Sequence, residues 1–386
     1  MEPTESHAST VPTKGTATPL PPPPSTEPTT ASTATLSQAP TQSTAQDAAA
    51  ASETSDARSL SSFSVGLSID TNDDDTFSNI GDIDTIRSSI SATSSVYEFV
   101  EQYGRTYHKY KEGKYLLPND EQEQNRLDLQ HHLATRLLEG KLHLAPIGSV
   151  HRVLDFGTGT GIWAVEFAEQ HPEADVLGTD LSPIQPEYVP PNLRFEIDDV
   201  EDEWVYSVPF DFVHGRYILP SLKDPRATLQ RIFEFLQPGG WVEIMETLMV
   251  IEAIDDSLSK TVLPRWHQLI LDGVRKMGRG DPMVPLKARQ WLSEIGFVNV
   301  TEKKFAVPAN SWARGDEQKI RGHLMMTNLL EAAQGITMSI CMRVWGWTKE
   351  EVEVFLVDVR AALKDRANHG YVPILCVYAQ KPELPA

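Results

Sequence analysis

The chain has few cysteines, no long hydrophobic run and fewer basic than acidic residues. Only Cys341 and Cys376 occur among 386 residues, so the sequence encodes no disulfide framework. No apolar run approaches the roughly 20 residues that span a bilayer, and the N-terminus lacks the basic start and apolar stretch of a secretory signal. These absences predict an intracellular protein, cytoplasmic or nuclear or both, that does not enter a membrane.

Acidic residues dominate along the whole chain. The 54 acidic and 34 basic residues give a formal net charge of −20. Residues 1–90 carry 12 acidic and 3 basic side chains, and the remainder carries 42 and 31. Proteins that bind nucleic acid usually present a basic surface, so the balance argues against nucleic acid as a direct ligand. Asp, Glu and His show no convincing metal-ligand spacing, so no metal is predicted.

Composition divides the chain into three regions. Residues 1–92 are rich in Pro, Thr, Ser and Ala, which predicts a disordered tail, since such a segment buries too little apolar surface to offset its ordering entropy. Residues 93–150 combine Tyr, Leu and charge in a pattern typical of one or two helices leading into the main domain, with a possible role as a lid. Residues 151–386 form the main domain, with a helical insert at about 308–368.

Strands and helices alternate within the main domain. Helices are predicted at 160–170 and 224–236. This alternation predicts an α/β fold in which helices cover both faces of a parallel sheet. The last two strands are candidates for an antiparallel pair at the sheet edge. The predicted strands are 152–156, 174–180, 193–198, 210–215, 239–246, 297–307 and 371–382.

A glycine-rich turn follows the first of these strands. "VLDFGTGTG" places Gly157, Gly159 and Gly161 at alternate positions, with Asp155 on the strand end. This is not the dinucleotide fingerprint, because Ile162 stands where a third glycine is needed. Asp155 would repel a pyrophosphate but attract an ammonium group.

Two further acidic positions end the next two strands. A carboxylate at Asp180 suits ribose hydroxyls, and Asp198 or Asp199 would suit an adenine amine. Strand periodicity favours Asp199. A ligand with an ammonium, a free ribose, adenine and no phosphate is S-adenosylmethionine, which the sequence therefore predicts as cofactor.

The same stretches resemble the class I S-adenosylmethionine-dependent methyltransferases, and more narrowly the fungal LaeA-like (TAM-domain) group. The resemblance covers "YHKYKEGKYLLPNDE", "GTDLSPIQP", "FDFVHGRY" and "LQPGGWVEIME" and extends nearly to the C-terminus. It implies a Rossmann-like sheet of order 3-2-1-4-5-7-6 with the last strand antiparallel. It also implies that the glycine loop holds the cofactor, Asp180 the ribose and Asp199 with Val200 the adenine. Thr158 and Leu181 complete the predicted cofactor site.

Catalytic residues are not determined by the sequence. His214, at the end of the fourth strand, is a weak candidate for a base or for a contact to the methionine part of the cofactor, and a structural histidine is an equal alternative. Glu246, at the end of the fifth strand, is a weak candidate for orienting an acceptor, and helix capping or a salt bridge is an equal alternative. Arg216 and Tyr217 follow His214 and are candidates for the substrate mouth. Tyr107 and Tyr115 are candidates for a lid, although ordinary core packing is the favoured explanation for any one tyrosine.

Two functions are compatible with these residues. One is a methyltransferase acting on a small-molecule acceptor, in fungal secondary metabolism. The other is a LaeA-like nuclear regulator of secondary metabolism that acts through regulatory protein partners.

A nucleic-acid base is not favoured as the methyl acceptor. The Asn/Asp-Pro-Pro-Tyr signature of nucleic-acid amine methyltransferases is missing after the fourth strand, where "HGRY" stands.

Overall fold

The structure is a computed structural model that describes residues 63, 66–71, 98–111, 113–278 and 281–384. The predicted disorder of residues 1–92 falls outside these residues, except for 63 and 66–71. No helix in the described ranges is long and apolar enough to cross a membrane.

One mixed sheet organises the main domain. Its parallel part runs β5-β4-β3-β6-β7, followed by β10, which is antiparallel to β7 and pairs on its other side with β9. When β3 to β7 are counted as strands 1 to 5, and β9 and β10 as strands 6 and 7, this is the order 3-2-1-4-5-7-6. The predicted fold and the antiparallel edge pair are therefore confirmed. A short β8 (Glu252–Ala253) pairs with the start of β10. The strands are β3 (Arg152–Phe156), β4 (Asp175–Asp180), β5 (Leu193–Ile197), β6 (Phe210–Arg216), β7 (Leu236–Thr247), β9 (Val298–Pro308) and β10 (Gly370–Gln380).

Helices cover both faces of this sheet because its strands are apolar on both sides. Val153 packs on the face covered by α2, whereas its neighbour Leu154 packs on the face covered by α3 and α5. A capping box between Thr348 and Glu351 starts α7. The helices are α1 (Glu121–Leu137), α2 (Ile162–Gln170), α3 (Pro225–Phe235), α4 (Leu263–Lys276), α5 (Ala288–Ile295), α6 (Asp316–Trp345) and α7 (Lys349–Lys364).

The lead-in to the main domain, residues 93–150, contains a β-hairpin at a place where the sequence predicts helix. Strands β1 (Phe99–Gln102) and β2 (Arg105–His108) pair in antiparallel register. The connecting residues Tyr103 and Gly104 have φ values of 58° and 79°. Positive φ at both central residues matches the twist of a two-residue hairpin, and this turn signal outweighs the helical composition. A single helix, α1, follows, and Asp120 caps it by accepting from the Glu123 N–H.

A short part of the predicted tail packs on the domain. The Phe63 side chain is 3% exposed and lies among Leu248, Met283, Tyr371 and Leu375. Further along, the Asp70 N–H donates to the Trp312 carbonyl at 3.1 Å, and the Arg314 N–H donates to the Ser68 carbonyl at 2.8 Å. Residues 63 and 66–71 therefore contribute to the folded domain.

Candidate active site

A cavity of about 360 Å³ lies where β3, β4, β6 and β7 reach their carboxyl ends. This is the edge at which open α/β sheets bind ligands, and the volume falls within the range of small-molecule sites. The wall also includes residues 114–119 of the lead-in and parts of α1, α4 and α6. The cavity therefore joins the predicted cofactor residues to helices that the sequence reading did not assign to the site.

The glycine loop between β3 and α2 has a conformation that requires glycine. Gly157, Gly159 and Gly161 have φ values of 67°, 59° and 81°, a region that side chains disfavour. A Cβ atom on Gly157 would lie 2.4 Å from Ile218 Cδ1, and one on Gly161 would lie 2.4 Å from Phe195 Cζ. Gly157, Thr158 and Gly159 line the cavity, whereas Gly161 serves as the N-cap of α2.

Asp180 connects the end of β4 to this loop. Its Oδ2 accepts from the Gly159 N–H and its Oδ1 accepts from the Ser182 N–H, both at 2.9 Å. Burial raises the pKa of Asp180 to about 6, although the two backbone N–H groups oppose that shift. A carboxylate offers about four acceptor positions, so Asp180 can also accept from a ligand hydroxyl. Leu181 lines the cavity beside it.

Asp155 and His214 form a buried pair. Nδ1 of His214 lies 2.7 Å from Oδ1 of Asp155, and the Thr158 hydroxyl donates to Oδ2 at 2.5 Å. The His214 ring stacks on Trp163 with a centroid separation of 3.6 Å. Burial raises the pKa of Asp155 to about 7 and lowers the pKa of His214 well below its usual value. We infer that His214 is neutral and donates from Nδ1.

The carboxylate of Asp199 is paired with the lead-in. Lys114 forms an ion pair with Asp199 and, at 2.8 Å, with Glu201. Lys111 pairs with Asp202 at 2.7 Å. Asp199 also accepts from the Glu201 N–H at 3.0 Å. Asp199 and Val200 line the cavity, so the predicted adenine position lies directly under the lead-in.

Glu246 and Tyr217 contribute a second polar region to the cavity wall. Oε1 of Glu246 accepts from the N–H groups of Ile218 and Leu219, at 3.0 and 2.9 Å. Burial raises the pKa of Glu246 to about 8. Oε2 of Glu246 and the hydroxyl of Tyr217 are buried and have no hydrogen-bond partner among the described residues.

A charged cluster on α1 closes the same region, and sequence reasoning missed it. Arg126 donates to both oxygens of Glu123, at 3.0 and 2.7 Å, and to the amide oxygen of Asn328 on α6, at 2.7 Å. The i, i+3 spacing of Glu123 and Arg126 was visible in the sequence, but the third partner is distant along the chain. Tyr115 is buried beside this cluster, which raises its pKa.

The remaining wall is apolar and comes from α4 and α6. On α4, Trp266 is fixed by an N–H that donates to the Thr337 hydroxyl at 2.9 Å. His267 lies next to it, and burial lowers its pKa to about 4, so it is neutral. Helical spacing on α4 was available as a sequence signal. We call the following residues the apolar wall: Trp266, Ile270, Val274, Met325, Leu329 and Ile336.

The structure does not bring every predicted site residue to the cavity. Tyr115, Arg216 and Tyr217 line it, but Tyr107 does not. Tyr107 is buried in β2 instead. Arg216 donates from Nη2 to the Leu142 carbonyl at 2.7 Å. In the described ranges, no group of three or more His, Cys, Asp or Glu residues is placed to hold a metal.

Comparison with known proteins agrees with this geometry. The methyltransferase domain family matches residues 129–302. Methyltransferase pytC of Aspergillus terreus is 39% identical over 303 residues, which cover 78% of this chain and 93% of that protein.

Two further relatives carry regulatory or protein-directed names. Secondary metabolism regulator LAE1 of Cochliobolus heterostrophus is 34% identical over 290 residues, covering 72% of this chain and 94% of the relative. Protein-methionine methyltransferase laeA of Emericella nidulans is 32% identical over 289 residues, covering 74% of this chain and 77% of the relative. With the sheet order and the glycine loop, these matches confirm the resemblance seen in the sequence. The chain belongs to the LaeA-like group of class I methyltransferases, enzymes whose methyl donor is S-adenosylmethionine.

Proposed function

We propose that the protein methylates a small-molecule acceptor of fungal secondary metabolism and that one cavity holds donor and acceptor together. The observation that carries this proposal is the composition of the cavity. Carboxylates and glycines line its strand-end side, and the apolar wall lines the side formed by α4 and α6. A site with an apolar wall and a few polar groups is typical of small-molecule recognition.

The strand-end side fits S-adenosylmethionine chemically. Asp180 would accept from the ribose hydroxyls through its free lone pairs. Gly157 and Gly159 line the cavity without side chains, so the backbone of the loop can approach the ligand closely. Asp155, together with Thr158, would supply the negative field for the ammonium group. Asp199 and Val200 would contact the adenine.

The donor, when bound, supplies a methyl group already activated by a sulfonium. The protein therefore has mainly to align the acceptor and exclude water. In this assignment His214 positions Asp155 rather than acting as a base. Tyr115 and the ion pair between Lys114 and Asp199 close the lead-in over the donor side.

The names of the relatives support a second candidate function. Two relatives carry the names secondary metabolism regulator and protein-methionine methyltransferase. A LaeA-like regulator of this kind would act in the nucleus through regulatory protein partners. Tagged protein isolated from its native cell distinguishes the two candidates. Recovery with nuclear partners supports the regulator, whereas recovery as a lone cytosolic enzyme supports the small-molecule enzyme.

Calorimetric titration with S-adenosylmethionine tests the donor side directly. We expect micromolar binding of S-adenosylmethionine and no binding of NAD or ATP. The protein is then incubated with cell extract and S-adenosylmethionine that carries a labelled methyl group. The size of the labelled product shows which kind of acceptor is methylated. Label in a small, extractable product supports the proposal, and label only in protein overturns it in favour of the second candidate.

A further inference from the structure

The turn after β6 holds Tyr217 in an unfavourable backbone conformation. Tyr217 has a φ value of 58°, which is uncommon for a residue with a bulky side chain. Its N–H donates to the Met245 carbonyl at 2.9 Å, and Glu246 holds the next two N–H groups through Oε1. Such strain persists only where the surroundings impose it, and it often marks a ligand site.

The same turn leaves two polar atoms without partners. Oε2 of Glu246 and the Tyr217 hydroxyl are both buried, and neither forms a hydrogen bond within the described part of the chain. Burying a polar atom without a partner is unfavourable, so two such atoms at the wall of one cavity indicate that a ligand completes them. A ligand hydroxyl accepts one hydrogen bond and donates another, which suits a phenol O–H donor beside a carboxyl oxygen.

The surroundings limit what else the ligand carries. The apolar wall offers no ionised group, because His267 is neutral. Arg126 forms an ion pair with Glu123, so its charge is compensated. Arg216 also lines the cavity, outside the apolar wall, and donates to the Leu142 carbonyl. An uncharged, mostly hydrocarbon molecule therefore matches the wall better than a phosphate, a carboxylate or an amine.

From these observations we propose that the acceptor is an apolar molecule bearing a hydroxyl group, and that Glu246 and Tyr217 bind that hydroxyl. This inference rests on the proposed function, because it names the acceptor class of the same cavity. It assigns Tyr217 and Glu246 to specificity, and it assigns the apolar wall to the hydrocarbon part of the ligand.

Two probes that share a hydrocarbon skeleton and differ only in a hydroxyl group test the assignment on the full-length protein. Calorimetry compares 2-naphthol with naphthalene, both in the presence of saturating S-adenosylhomocysteine. We expect 2-naphthol to bind about tenfold more tightly, the difference that hydrogen bonds to a buried group provide. The Tyr217→Phe variant should lose about two- to tenfold in affinity for 2-naphthol and bind naphthalene unchanged.

Matched variants separate this result from a structural effect. Tyr378→Phe changes the same residue type on β10, away from the cavity, and should leave both affinities unchanged. Ile336→Trp fills the apolar wall and should weaken both probes together. Because the Tyr217 hydroxyl has no partner within the described chain, the Tyr217→Phe variant is expected to fold normally.

Two outcomes would overturn the inference. They are equal affinity of the wild type for both probes, and absence of binding by either probe while S-adenosylhomocysteine saturates the donor side. Failure of S-adenosylmethionine itself to bind is a different result, since it would overturn the proposed function.

Discussion

His214 and Asp155 lie on adjacent strands, β6 and β3, and are joined by a contact of 2.7 Å between Nδ1 and Oδ1. The sequence alone predicts no link between them, since it indicates His214 as a weak candidate for a base and Asp155 as an ammonium contact. Their pairing makes His214 the residue that orients the Asp155 carboxylate beside the glycine loop. The stacking on Trp163 fixes the plane of the ring.

Replacing His214 by Phe should reduce stability without disturbing the stack on Trp163. The variant leaves the buried Asp155 carboxyl with one donor fewer, and we expect a loss of about 1–3 kcal/mol in the free energy of unfolding. Urea unfolding measures it. The exposed His151 provides the control through His151→Phe. A loss no larger than that of the control would show that the pair contributes nothing to the fold.

Removing the Asp180 side chain should weaken donor binding. We expect Asp180→Ala to cost about 1–3 kcal/mol of S-adenosylmethionine affinity, through lost hydrogen bonds to a charged group. Asp180→Asn, which keeps one acceptor oxygen, should lose less. Calorimetry compares both with Asp175→Ala, at the opposite end of β4. Unchanged affinity in Asp180→Ala would mean that the ribose binds elsewhere.

The pH dependence of stability should report the buried Glu246 carboxyl. Its pKa is raised from 4.5 to about 8, so between these two pH values the carboxyl ionises in the unfolded chain but stays protonated in the folded protein. Its contribution to the free energy of unfolding is therefore fully present below pH 4.5 and is lost as pH rises toward 8. The Glu246→Gln variant does not ionise and should gain stability relative to wild type over that window, by at most about 5 kcal/mol.

Unfolding measured from pH 5 to pH 9 tests this trend. Asp155 and Asp180 titrate in both proteins and cancel in the comparison. Glu166→Gln is the control, because the partner His131 lowers the pKa of Glu166 and the variant should show no such gain. A flat difference between Glu246→Gln and wild type would show that Glu246 ionises freely in the folded state.

Truncation at the N-terminus should separate the tail from the domain. A chain that begins at residue 62 retains Phe63 and should match wild type in stability. One that begins at residue 73 loses the contacts of Phe63 and Asp70 and should be less stable. Phe63→Ala should lower the free energy of unfolding by about 3–5 kcal/mol, compared with Phe99→Ala at a half-exposed site. Equal stability of the two truncated chains would show that the contacts of Phe63 and Asp70 do not contribute to the stability of the domain.

The ion pair between Lys114 and Asp199 should slow ligand exchange. If the lead-in closes over the donor side, Lys114→Gln should release S-adenosylhomocysteine about two- to fivefold faster, since a partly buried pair contributes up to about 1 kcal/mol. Stopped-flow fluorescence measures the release. Lys109→Gln breaks an exposed pair with Glu98 on the hairpin and should leave the rate unchanged. Equal rates in the two variants would refute the closure.

The sheet and the glycine loop could be predicted from the sequence because their signals are local. Apolar strands, a Gly-rich turn and acidic strand ends each occupy a few consecutive residues. The side-chain pairs of the site could not be predicted, because their partners are far apart along the chain. His214 and Asp155 are 59 residues apart, and Arg126 and Asn328 are 202 apart. The hairpin was missed for another reason, since its Tyr-Gly turn is brief beside the helical composition around it.

The apolar wall comes from α4 and α6, outside the stretch that carries the glycine loop and the acidic strand ends. Mutations in these helices can reshape the cavity while the strand ends keep their geometry. Duplicated genes of this design can thus diverge in what they methylate while conserving the donor. Exchanging residues 263–345 between two relatives would exchange the apolar wall, while Tyr217 and Glu246 would stay in place. Selectivity for the hydrocarbon part of the acceptor would then follow one segment of sequence, separate from the residues proposed to bind the donor.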